Sequence, residues 1–444
     1  MKNKIFANSI LVIFVYGFSQ FLRLGGNLVV TRILEPEMFG VVAVITVLLF
    51  GIVMFTDVGL NAAIIRSTKG TEPSFLNTAW TVQVIRGWIV FFIVSVLAGG
   101  LYTVNNFAPD MVQGVYKHQM LPIYMVIVAI SAILSGYAPM SPAIAIKNAS
   151  LARIQIIEVA SQITGIIFML IFAWIYRSIW ALILTPIVSA STKTLLLYGL
   201  YEHRHRFMFD ADVLQEINRY GKWILLSSAL TFMSMQGDRL IFGYYLSPEQ
   251  LGFYTIAFFL ANAIIDVIKR LSQNVFFPLF NKVKEQGISS LIDVYYRSRL
   301  RFDFLSGITS GFVAATGGVL IDILYDPRYN DAGILLQILS LSILGHTISS
   351  LGLECLSASG NTKISAKIML ARSLTIFLAL PVVFYFFGFY PAAFLVSANV
   401  YITLPLLYHE LHKFRLFSWS RELISLLFPV IGYLLGNFLI MIFS

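Results

Sequence analysis

Apolar residues along this chain run in blocks of 20 or more, separated by short polar breaks, from one end to the other. A hydrocarbon core of ~30 Å takes about 20 helical residues at 1.5 Å each. The pattern therefore predicts thirteen membrane spans, near 5–31, 38–62, 76–103, 119–140, 151–176, 178–200, 216–245, 249–273, 302–325, 331–358, 364–388, 390–409 and 421–443. The fold class that follows is all-α, a polytopic membrane protein. The apolar run after Lys4 exceeds the ~7–15 residues of a secretory signal, and no small-residue cleavage site follows it, so it reads as the first span.

The polar breaks repeat. LEPEMFG at 34–40 joins predicted spans one and two, and LSPEQLG at 246–252 joins spans seven and eight. Proline at a helix start with a carboxylate in the first turn is ordinary N-terminal chemistry. Two such turns six spans apart indicate a duplicated six-helix unit. KNASLAR (147–153) and NTKISAK (361–367), after spans four and ten, echo each other in the same way. An even shift keeps orientation, so the halves are parallel repeats about an axis along the membrane normal. The expected organisation is a six-helix lobe at 1–205, a second at 206–415, and one additional transmembrane helix at 416–444.

Composition agrees: 58% of residues are hydrophobic and 12% charged, about half the charged share of a soluble domain. The formal charge of +9 could suggest nucleic acid. However, 23 of the 31 basic residues fall on one side if the N-terminus is cytoplasmic, and only Arg32, Lys117, Arg177 and Arg328 on the other. That asymmetry is topological and calls for no nucleic acid. Between spans eight and nine, NVFFPLFNKVKEQGISSLIDVYYRSRLRF mixes basic, aromatic and aliphatic residues. It reads equally as an interfacial helix or as an ordinary cytoplasmic loop. The lone Cys355 excludes an internal disulfide framework, and no Cys/His set has metal-ligand spacing, so no metal or cofactor is expected.

Four basic residues lie within spans: Arg23, Arg86, Lys193 and Arg239, with Arg372 at the border of another. Intramembrane charge costs ~2.5–3.5 kcal/mol on insertion scales and tends to face a bundle interior or a wet cavity. Span one presents Tyr16, Gln20, Arg23 and Asn27 on one face; span seven presents Ser227, Thr231, Ser234 and Asp238 at the same spacing. Gln83 accompanies Arg86 on span three. Such bases could be buried glue balancing Asp57, Asp238 or Glu354. Taken together, on helices of both halves, they suggest the lining of a shared basic cavity. The guanidinium fork suits a diphosphate, because it donates paired hydrogen bonds to phosphate oxygens. Asp57, in FTDVGLNAAIIR, is expected to balance Arg23 or to bind a coupling cation or proton, and Asp238 to act likewise. His346 reads as a packing residue.

ILEPEMFGVVAV followed by FTDVGLNAAIIR resembles the start of the bacterial polysaccharide transporters. These are the Wzx-type oligosaccharide flippases of the multidrug/oligosaccharidyl-lipid/polysaccharide superfamily. PAIAIKNASLARIQIIEVASQITG, FFPLFNKVKEQ and CLSASGNTK resemble later landmarks in the same order. The resemblance implies two six-helix lobes around a central cavity. It also implies that a polyprenyl-diphosphate-linked oligosaccharide passes from the inner to the outer leaflet of the cytoplasmic membrane, by alternating access, for cell-surface polysaccharide biosynthesis such as O-antigen or exopolysaccharide. Arg23, Arg86, Arg239, Lys193 and Arg372, with Gln20, Asn27 and Gln83, are the expected diphosphate-binding residues. Membrane lipids, and a polymerase or chain-length machinery, are the expected partners.

Two other classes compete with this reading. A cation-coupled drug antiporter of the same superfamily would favour carboxylates in its cavity, against the basic excess here. A polysaccharide polymerase or ligase would need reactive groups at the outer surface. The longest outer loop, YTVNNFAPDMVQGVYKHQM, offers one Asp and one His, and no Gly-rich phosphate loop appears. An enzyme is not expected.

Overall fold

A computed structural model of the chain describes residues 2–148, 152–201 and 204–443, with side chains for all of these except 2–14, 16, 220, 222, 223, 226 and 443. The KNASLAR helix start lies partly outside the described residues, as does the side chain of Tyr16. Among the described residues the structure is helical, without strands. The helices are α1 (Lys2–Thr31), α2 (Pro36–Phe55), α3 (Leu60–Arg66), α4 (Pro73–Phe107), α5 (Leu121–Gly136), α6 (Ser141–Lys147), α7 (Ala152–Tyr176), α8 (Trp180–Leu200), α9 (Ala211–Tyr245) and α10 (Pro248–Leu271). They continue as α11 (Phe277–Lys284), α12 (Ile288–Leu324), α13 (Ala332–Ser340), α14 (Ser342–Ala358), α15 (Lys363–Leu374), α16 (Leu380–Phe387), α17 (Phe389–Ile402), α18 (Leu404–Lys413), α19 (Trp419–Ser425) and α20 (Leu427–Phe443).

Each predicted span coincides with one helix or with two in succession. Among the described residues, ten helical columns are long and apolar enough to cross a membrane, and an eleventh if the bent pair α5–α6 is one span. The other two predicted spans are α1 and α9, of 30 and 35 residues. At 1.5 Å per residue each exceeds the ~30 Å hydrocarbon core. The chain is a multi-pass membrane protein. Both repeated turns open a helix at their proline, α2 at Pro36 and α10 at Pro248.

Three predicted elements differ. Span two breaks between α2 and α3, where Asp57 Oδ1 accepts the Gly59 amide at 3.0 Å and Gly59 takes a left-handed φ of 70°; an Asx-type turn followed by glycine ends a helix. Span four bends by 56° between α5 and α6, across the Pro139 and Pro142 region. The segment before span nine is divided: up to Lys284 it continues the α10 column as a π-helical turn and α11. From Ile288 onward it is the first part of α12, a continuous helix of 37 residues and roughly 55 Å.

Two compact units divide the chain: Met1–Phe232 with Gly243–Pro248, and Met233–Phe242 with Glu249–Ser444. The first unit is built on Leu60, Ile64, Phe75, Trp80 and Ile217, the second on Phe280, Tyr295, Leu351, Cys355 and Leu411. These divisions differ from the expected 1–205, 206–415 and 416–444. The beginning of α9 belongs to the first unit, and the C-terminal helices belong to the second. The reason for the latter is close backbone packing. Gly307 and Gly311 of α12 pack against Phe428, Pro429 and Tyr433 of α20, and Gly432 and Gly436 of α20 pack against Ile308, Phe312 and Ala315 of α12. A Cβ at Gly311 would lie 1.8 Å from the Pro429 carbonyl oxygen, and one at Gly432 would lie 2.2 Å from that of Ile308. Membrane helices associate through such small-residue faces.

Candidate functional site

The first unit holds the candidate site. Helices α1, α7 and α8 approach through two glycines. A Cβ at Gly26 would come 2.9 Å from Ile166 Cγ2, and one at Gly165 would come 2.0 Å from Ser189 Oγ. Beside this contact the helices enclose a groove of about 410 Å³, lined by Ser19, Arg23, Glu158, Gln162, Ser189 and Lys193 among others. These lining residues fall as three polar pairs at i, i+4, one pair per helix, a spacing that puts both members on one face. Gln162 ties α7 to α1: its amide donates to the Ser19 carbonyl at 2.8 Å, and the Ser19 hydroxyl donates to Gln162 Oε1. Lys193 Nζ donates to Glu158 Oε1 at 2.5 Å. Arg23 is exposed in this groove and forms no ion pair among the described residues. With Lys193 balanced by Glu158, the Arg23 charge is left uncompensated among the described lining residues.

The remaining predicted residues lie elsewhere. Gln20 and Asn27 are on α1, one turn to either side of Arg23, and are not part of the groove lining. Arg86 Nη1 meets Asp57 Oδ1 at 3.2 Å, both partly exposed, so Asp57 balances Arg86 and not Arg23. Gln83 caps the end of α5, its amide donating to the carbonyls of Ser135, Gly136 and Ala138 at 3.3, 3.0 and 2.8 Å. Tyr198 adds a hydrogen bond to the Tyr137 carbonyl at 2.7 Å. A helix broken within a membrane frees carbonyls that only protein groups can satisfy, and these side chains do so.

In the second unit, Asp238 is buried and accepts the Tyr254 hydroxyl. Arg239 donates to Gln236 at 3.1 Å and lies 4.0 Å over the Phe258 ring. Arg372 donates to Thr403 Oγ1 at 3.1 Å and Ser349 Oγ at 2.9 Å. It shares its surroundings with Lys269 and His346, within electrostatic reach of one another. A π-helical turn follows both Lys269 and Arg372, at Ser272–Phe276 and Thr375–Ala379. Sequence reasoning missed Glu158, Gln162 and Ser19 as groove residues, although their i, i+4 spacing to each other or to Arg23 was readable. It also missed that Lys269 and His346 lie within electrostatic reach of Arg372, a neighbourhood of separate helices with no sequence signal.

Known proteins bear on what such a groove serves. The family described as "Polysaccharide biosynthesis protein" matches residues 29–333. The chain belongs to that family. Among its relatives, the teichuronic acid biosynthesis protein TuaB of Bacillus subtilis (strain 168) is 21% identical over 233 residues, 52% of this chain and 46% of TuaB. The succinoglycan biosynthesis transport protein ExoT of Rhizobium meliloti (strain 1021) is 22% identical over 255 residues, 57% of this chain and 49% of ExoT. The chain thus spans about half the length of the curated relatives it matches. The solved structure of the lipid II flippase MurJ, in an inward closed conformation, superposes with a TM-score of 0.70 at 16% identity. That match covers 96% of this chain and 98% of MurJ, so the two share a fold.

Proposed function

We propose that this member of the polysaccharide biosynthesis family is a transporter, not an enzyme. In this reading it carries a polyprenyl-diphosphate-linked oligosaccharide from the inner to the outer leaflet of the cytoplasmic membrane by alternating access, with its N-terminus inside. The observation that carries the reading is the Arg23 guanidinium, exposed in a polar groove of otherwise apolar helices and in no ion pair among the described residues. An anionic headgroup crossing hydrocarbon unaided pays a prohibitive desolvation penalty, so a flippase must supply countercharge along the path. A guanidinium does this with paired hydrogen bonds to phosphate oxygens. The hydroxyl and amide groups of Ser19, Ser189 and Gln162 suit the sugars. The second unit has basic groups of its own in Lys269 and Arg372. The names of TuaB, ExoT and MurJ support the substrate class.

The test is binding by the purified protein of a lipid-diphosphate-linked glycan and of the same lipid lacking both phosphates. Tight binding of the first alone, weakened at least tenfold by Arg23→Ala, is expected. Equal binding of both lipids would overturn the reading.

A further inference from the structure

A second cavity, of about 360 Å³, lies in the second unit between the first part of α12 and α19. Its floor is closed by a buried ionic cluster: Arg299 forks onto both carboxylate oxygens of Glu422 and meets Asp303 Oδ2 at 3.1 Å, while Ser425 donates to the same Asp303 oxygen at 2.6 Å. Arg299 is fully engaged there. The walls carry two other guanidinium groups, Arg297 from α12 and Arg421 from α19. Both are exposed, and neither forms an ion pair among the described residues. Arg421 is held 4.9 Å over the Tyr296 ring. Leu300 and Ile424 also line the cleft and are each 43% exposed, next to exposed Trp419 and Leu423. Along α12 the cleft falls where the basic stretch YRSRLRFD gives way to the apolar run FLSGITSGFVAA.

We propose that this cleft is a binding site for an anionic membrane phospholipid, its phosphate between Arg297 and Arg421 and its acyl chains along Leu300 and Ile424. Three features point to a lipid in place of a soluble anion. The basic pair comes from two separate elements, apolar side chains share the same lining, and the charged and apolar parts of the helix meet at this level. Basic pockets between membrane helices commonly take such headgroups. Asp293 lies one turn before Arg297 in the same lining and weakens the site by its charge. The inference does not depend on the transport reading, since the groove around Arg23 is in the other unit.

Binding is read on the purified full chain in detergent, by counting retained phosphatidylglycerol and phosphatidylcholine with native mass spectrometry. Phosphatidylglycerol should be preferred. Each of Arg297→Gln and Arg421→Gln should lower its retention about fivefold, the equivalent of ~1 kcal/mol per basic group. Asp293→Asn should raise it, which keeps the test alive if either arginine variant fails to fold. Equal retention of both lipids, unchanged retention in the arginine variants, no gain in Asp293→Asn, or displacement of the lipid by equimolar glycerol phosphate would each overturn the proposal.

Discussion

Arg23 and Arg299 are both guanidinium groups on long helices of a membrane protein, and their surroundings are opposite. Arg299 is 1% exposed and engaged by two carboxylates from two elements. Arg23 is exposed in a groove whose acidic lining residue, Glu158, is paired with Lys193. A buried cation with its countercharge in place has little left to offer a ligand. It fixes α12 to the C-terminal helices, alongside the glycine contacts further along. A cation without one is an incomplete ion pair, and an anionic ligand completes it. Arg86 falls between the two, with one carboxylate and partial exposure. The partner a charged group already has is therefore a better guide to its role than its depth in a span.

The largest loss is expected at the buried arginine. Arg299→Ala leaves Glu422 and Asp303 buried without a cation and should destabilise the protein by about 3–5 kcal/mol, as removal of one member of a buried pair does. The joint replacement Arg299→Met with Glu422→Leu and Asp303→Leu should cost much less, because no unpaired charge remains. Unfolding in detergent measures both, and equal losses would contradict the assignment. Arg86→Ala should cost about 1–2 kcal/mol through the Asp57 oxygen and the Val53 carbonyl that it leaves unsatisfied. Asp57→Asn in the same chain should recover part of that loss. A smaller change is expected beside Arg23: Glu158→Gln frees Lys193 from an exposed pair, worth up to about 1 kcal/mol. It should tighten diphosphate-lipid binding by a few-fold while lowering the melting temperature by no more than about 4 °C. Weaker binding would mean that Glu158 touches the ligand favourably.

Much of the architecture could be read from the sequence, because length and hydrophobicity alone decide whether a segment can cross a bilayer. The thirteen predicted segments all correspond to helices, and the two proline turns start helices as expected. The breaks at Asp57–Gly59 and before Ser141 escape such a reading, since a hydropathy pattern does not register a local turn inside an apolar run. The Arg299 cluster is hidden for another reason. Arg299 sits among Arg297 and Arg301 and looks like one more topological charge, yet helical geometry turns it inward toward Asp303. Its second partner, Glu422, is 123 residues away, beyond any local pattern. For the candidate site, Arg23 and Lys193 are legible as separate intramembrane charges. That they share a groove, while Arg86, Arg239 and Arg372 each have other neighbours, depends on tertiary packing.

The role given to Arg23 stands or falls on translocation in liposomes bearing the reconstituted protein. A lipid-diphosphate-linked oligosaccharide is placed in one leaflet, and its appearance in the other is followed for the wild type, Arg23→Lys and Arg23→Ala at matched protein content. Transfer is expected for the wild type. The lysine variant, which keeps the charge but loses the paired hydrogen bonds, should transfer in part, and alanine should slow the rate at least tenfold. Wild-type rates in a correctly folded Arg23→Ala protein would show that this guanidinium does not carry the headgroup.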